Sequence, residues 1–198
     1  MNNYEIHITL QAFPYNVDTL KNRVASLGAK LIVIDAHPLT DLMTSCRMKS
    51  DDQNAVFQEV NAQVLALSGF GITPLRVKVE TDLNHPAAAT PLPNQYFESH
   101  FQVLVAKSQL EDLKDLAKGL DLYVSRNAFK PPVNGRHIRM VTLREYHTSA
   151  EKFRQRVEAV GRVLPAQGYE LAKGVEIEFA LYDSNARHDD AWIASRGF

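Results

Sequence analysis

Two copies of one short pattern carry the residues best suited to chemistry. Tyr4-Glu5-x-His7-x-Thr9-Leu10 is matched by Phe97-Glu98-x-His100-x-Gln102-Val103, with 93 positions from His7 to His100. Imidazole is the side chain whose ordinary pKa lies near neutrality, so two histidines facing one ligand can act as general base and general acid. Two places beyond each histidine stand the hydroxyl of Thr9 and the amide of Gln102, both able to donate to an anionic oxygen. Arg76 and Lys78 are candidate clamps for the same anion, and Glu176 with Glu178 are candidate ligands for a divalent metal beside His100. Each group also has a purely structural use. His7 and His100 can be strand histidines satisfied by Glu5 and Glu98, and Arg76 and Lys78 can pair across strands with Glu5 or Glu80. Ser125-Arg126-Asn127 either binds an anion or builds a turn.

Those residues need strands to hold them, and the spacing supplies strands. Residues 4–10 alternate: Tyr4, Ile6, Ile8 and Leu10 share one face, while Glu5, His7 and Thr9 share the other. Apolar positions at helical spacing follow over 17–28, with Gly28 as the stop. Strands are predicted at 29–36 and 41–49, a helix over about 53–68 opened by Ser50-Asp51-Asp52, and a strand at 75–81. Three prolines and three consecutive alanines then mark 82–95 as an extended linker, in which His85 faces solvent.

Beyond the linker the pattern restarts. Strands at 97–103, 120–127, 136–145 and 174–183 alternate with helices at 108–118 and 148–164, the second opened by Thr148 and Glu151 as a capping box. The chain therefore divides into a first βαββαβ half (1–81), a linker (82–95) and a second βαββαβ half with a C-terminal tail (96–198), the tail packing down through Trp192 and Ile193. The expected fold class is α+β, a tandem repeat of two ferredoxin-like βαββαβ units whose open sheet faces form a shared cleft. In such units the first strand lies beside the fourth. His7 then sits near Arg76, Lys78 and Glu80, and His100 sits near Glu176 and Glu178. The third strand of the first half offers either Ser45 and Arg47 or Thr44 and Cys46, and that of the second half offers Thr142 and Arg144.

Composition narrows the classes of function. The net charge of −1 gives no global field for duplex nucleic acid or an anionic membrane. A single cysteine, Cys46, allows no intrachain disulfide and no cysteine zinc site. No apolar run is long enough to span a bilayer and no signal peptide is recognisable, so a cytoplasmic protein is expected. Dinucleotide-binding, phosphate-loop, nucleophile-elbow and zincin motifs are absent.

At His7-Ile8-Thr9 the chain resembles the two-histidine phosphoesterase superfamily, whose members have two pseudo-symmetric lobes, each giving a His-x-Thr or His-x-Ser from a central strand. The resemblance implies His7 and His100 as base and acid, with Thr9, Gln102, Arg76 and Lys78 holding the phosphate. Gln102 departs from the family's hydroxyl. Glu176-x-Glu178 and Arg76-x-Lys78 are similar to motifs of the CYTH triphosphate tunnel enzymes, which implies triphosphate and a divalent metal. That family's opening Glu-x-Glu-x-Lys appears here as Glu5-x-His7-x-Thr9. The function expected is a phosphoesterase acting on a nucleotide or RNA-terminal cyclic phosphate. The alternatives are a non-catalytic module binding a nucleotide or a protein, and a metal-dependent triphosphate tunnel enzyme.

Overall fold

A computed structural model describes residues 1–11, 16–36 and 39–189; Trp192 and Ile193 lie outside the described residues. The first half comprises β1 (Asn2–Leu10), α1 (Val17–Ser26), β2 (Lys30–Ala36), β3 (Leu39–Ser50), α2 (Gln53–Gly69) and β4 (Pro74–Thr81). The second comprises β5 (Tyr96–Val105), α3 (Leu110–Gly119), β6 (Tyr123–Asn127), β7 (His137–Tyr146), α4 (Ala150–Ala166), the two-residue β8 (Glu170–Leu171) and β9 (Glu176–Asp183). Polar side chains open the helices as their sequences suggest. Asn16 caps α1, Asp52 caps α2, and Ser149, not Thr148, caps α4 by accepting from the Lys152 amide.

The expectation of open sheet faces forming a shared cleft is corrected by the strand pairing. Neighbours run β7-β6-β2-β3-β1-β4-β9-β5, and β5 pairs again with β7, so the eight strands close into one antiparallel barrel. Two seams join the halves. β4 pairs with β9 from Lys78↔Asp183 to Thr81↔Phe179, and β2 pairs with β6 at Ile34↔Asn127 and Asp35↔Arg126. Two open sheets would have left four edges of unpaired N–H and C=O groups. Closure satisfies them. β8 adds only a short extension on β5 through Val103↔Leu171.

Closure also fixes which way the strands face. The apolar rows point outward, where Ile6 and Ile8 share a buried layer with Leu20, Val24, Val56 and Val60 from α1 and α2. In the second half Phe97, Phe101 and Val103 meet Leu113, Phe153, Val157 and Val160 in the same way. The hydrophobic core is thus the shell between barrel and helices, and the polar rows line the lumen. Ser45 and Arg47 belong to the inward row of β3, opposite His7 and Glu5, which leaves Thr44 and Cys46 under the helices.

The proline-rich connector is more ordered than its composition suggests. It holds a 3-10 turn at Pro86–Ala89, and His85, expected at the surface, is only 7% exposed. Its Nε2 lies 3.0 Å from the Tyr4 hydroxyl.

Phe97 stacks on Phe153 at 5.5 Å and meets Phe179 at 5.1 Å between ring centres. Phe97→Ala is expected to cost about 3–5 kcal/mol in a urea unfolding titration. Leu65→Ala, at a 72% exposed position, is expected to cost less than about 0.5 kcal/mol.

Candidate functional site

The inward rows enclose a cavity of about 580 Å³, a size that suits a small organic molecule. His7, Arg76, Lys78, His100, Gln102, Glu176 and Glu178 all line it. Thr9 does not; it is buried beside Arg76 in the register of β1 and β4 without reaching the cavity wall. Ile32, Ile34, Met43 and Met140 add apolar surface to the lining, with Ile32 opposite Met43 in the pairing of β2 and β3.

The two halves supply equivalent constellations. In the first, Glu5 is opposite Arg47 and Glu80, and His7 is opposite Ser45 and Lys78. In the second, Glu98 is opposite Arg144 and Glu178, and His100 is opposite Thr142 and Glu176. The Nε2 atom of His7 lies 3.1 Å from Glu80, and that of His100 lies 3.5 Å from Glu178. The Nδ1 atoms are held as well, by the Thr44 carbonyl oxygen at 3.3 Å and the Thr142 hydroxyl at 2.9 Å.

Most of the cations are already engaged. Lys78 Nζ forms an ion pair with Glu80 at 2.8 Å and donates to Glu98 at 2.9 Å, joining the two halves through one ammonium. Arg144 Nε donates to Glu98 at 2.7 Å. Arg76 grips Asp183 and Asp189 through Nε and Nη1 at 2.9 and 2.8 Å. Lys130 donates to Gln102 at 3.0 Å, and Lys173 to Glu176 at 2.6 Å. Among the described residues no group of three His, Cys, Asp or Glu side chains is arranged to hold a metal ion.

Burial and charge then separate the carboxyl groups. Burial works to raise Glu80, but Lys78 and His7 outweigh it and pull its pKa down to about 2. Glu98 is likewise held well below the usual carboxylate range, because Arg144 and Lys78 overcome its burial. Glu178 goes the other way. Burial, reinforced by Glu80, Glu5 and Glu98, pushes it up to about 9, so it is a neutral acid near pH 7. Burial also lowers the pKa of His100, which favours its neutral, proton-accepting form.

The histidines, Arg76, Lys78 and both glutamates singled out in the sequence therefore meet in one lumen. Asp189 and Lys130 were not among the candidate residues, and Glu80, Arg47 and Arg144 stood only as possible neighbours. One signal was available for the arginines. Met43-x-Ser45-x-Arg47 and Met140-x-Thr142-x-Arg144 form a second repeated pattern.

Comparison with known proteins adds no assignment. No family model matches the chain, and no curated protein matches it. Among solved structures, a mutant chlorite dismutase from Candidatus Nitrospira defluvii is 10% identical with a TM-score of 0.31, over 98% of this chain and 94% of that one. The acetolactate synthase small subunit from Thermotoga maritima is 15% identical with a TM-score of 0.33, over 89% and 93%. An unknown protein from Galdieria sulphuraria is 10% identical with a TM-score of 0.29, over 91% and 99%. Similarities this slight carry no argument about fold or function.

The neutral Glu178 gives a signed pH prediction. Above its ordinary value of 4.5 the unfolded chain releases this proton while the folded barrel keeps it up to about 9. The group's contribution is therefore most favourable at low pH and is lost as pH rises through that window. Glu178→Gln, which stays neutral throughout, should flatten the decline and add roughly 4–5 kcal/mol at pH 8. Urea midpoints of both proteins between pH 5 and 9 check this; parallel curves would show that Glu178 is ionised in the barrel.

Proposed function

We propose that the lumen is the site of a histidine acid–base reaction on a small monoanionic phosphodiester, of the class of nucleoside 2′,3′-cyclic phosphates. The observation carrying this reading is that His7 and His100, from equivalent strands of the two halves, line one cavity. Seven Lys and Arg side chains and seven carboxyl groups line it, and the neutral Glu178 removes one negative charge from that balance, which suits an anionic ligand. The apolar side chains of Ile32, Ile34, Met43 and Met140 in the lining give a base or other flat group somewhere to lie.

The histidines have different partners, which supports different roles. His100, kept neutral by burial, accepts a proton from water as the water oxygen bonds to phosphorus. His7, beside the ionised Glu80, donates a proton to the ribose oxygen as the ring P–O bond breaks. A second reading, binding without turnover, is favoured by the engagement of Lys78 and Arg76 in internal ion pairs.

His7→Ala and His100→Ala are each expected to lower turnover of a 2′,3′-cyclic nucleotide by about 100-fold or more while leaving circular dichroism unchanged. Activity retained in either variant would remove the acid–base pair. Thermal stabilisation of the unaltered protein by the nucleotide, with no product formed, would establish the binding reading instead.

A further inference from the structure

After β9 the chain turns back onto the barrel and places a carboxylate among two guanidinium groups. Asp189, in the 3-10 turn Ala186–Asp189, is 3% exposed and lines the cavity. Arg76 Nη1 donates to its Oδ1 at 2.8 Å, Arg76 Nη2 to its Oδ2 at 3.1 Å, and Arg144 Nη2 to the same Oδ2. Both of its oxygens are therefore held by planar forks, the arrangement by which arginine recognises carboxylate and phosphate.

Three further features distinguish this carboxylate from the others in the lumen. Glu5, Asp41, Glu80, Glu98, Glu176 and Glu178 belong to barrel strands and cannot leave without opening the ring. Asp189 sits outside the strands on a four-residue turn, and the neighbouring His188 reaches Asp41 at 2.9 Å. Arg144 also has spare capacity. Its Nη1 is buried and has no hydrogen-bond partner among the described residues, although its side chain is only 6% exposed. A buried guanidinium donor left unpaired is costly unless another acceptor reaches it.

We propose that Arg76 and Arg144 form an anion-binding site that the chain's own Asp189 fills, and that a ligand's carboxylate or phosphate takes it when the Ala186–Asp189 turn moves aside. A tetrahedral phosphate offers more acceptor oxygens than a carboxylate and can also engage Arg144 Nη1. The turn then acts as an internal competitor, so that occupancy of the arginine pair and seating of the turn exclude one another. The inference stands apart from phosphodiester turnover, because its test reads binding alone.

The test is thermal unfolding of Asp189→Ala and of the unaltered protein in acetate, in inorganic phosphate, and in chloride at matched ionic strength. The variant is expected to be less stable than the unaltered protein in chloride. Acetate or phosphate should then raise its Tm by about 3–5 °C over chloride, with little effect on the unaltered protein. Whichever anion responds identifies the ligand chemistry. If the variant gives no unfolding transition in chloride, recovery of a cooperative transition on adding acetate or phosphate is the supporting result. A variant that responds to neither anion beyond its response to chloride, or no more than the unaltered protein does, overturns the proposal.

Discussion

Closing the ring forces sixteen ionisable groups to face one another across a lumen, and everything else in the molecule follows from pairing them. A charge withdrawn from water is tolerated only beside a partner. Here the partners come from opposite halves. Lys78 of β4 meets Glu98 of β5, and Arg76 of β4 meets Asp183 of β9. Neither pair exists unless the seam between β4 and β9 is zipped. The seam in turn would bury unpaired charge if those partners were missing. Backbone closure and charge compensation are thus one condition.

The same register explains why two equivalent half-sites behave differently. Lys78 is the residue opposite His7, and Glu176 is the residue opposite His100. An ammonium at the first position serves Glu80, which ionises readily, whereas a carboxylate at the second leaves Glu178 without a cation of its own. One exchange of sign at matching places turns a near-symmetric scaffold into a site with an ionised and a neutral glutamate. The fold supplies symmetry, and the chemistry depends on its being broken.

Much of this was legible in the chain. Alternation in β1 and β5 assigned His7 and His100 to the polar side, and the period-two rule is insensitive to whether that side is a cleft or a lumen. Capping residues and glycine stops located the helices to within a few positions. Closure itself was not legible, because the β2–β6 seam is short, pairing Ile34↔Asn127 and Asp35↔Arg126, with no local signature in either strand. The weak alternation of β3 hid the inward direction of Arg47 until its register with Glu5 was known. Asp189 was invisible for a different reason. Its importance comes from contacts with Arg76 and Arg144, far away in sequence, and a polar tail reads the same whether it dangles or docks.

The long reach of those pairs has a consequence for how the chain is made. Arg76 waits 107 residues for Asp183 and 113 for Asp189. At typical synthesis rates of about 5–20 residues per second, that interval lasts on the order of ten seconds. During it the emerging first half can already bury Ile6, Ile8, Val56 and Val60 beneath its helices. Its charged face stays hydrated and its two outer strands stay unpaired. A first half folded by itself would present two unpaired strand edges and a polar face. Its proper partner is the stretch of the same chain still on the ribosome, and its hazard is the matching edge of a neighbouring nascent copy.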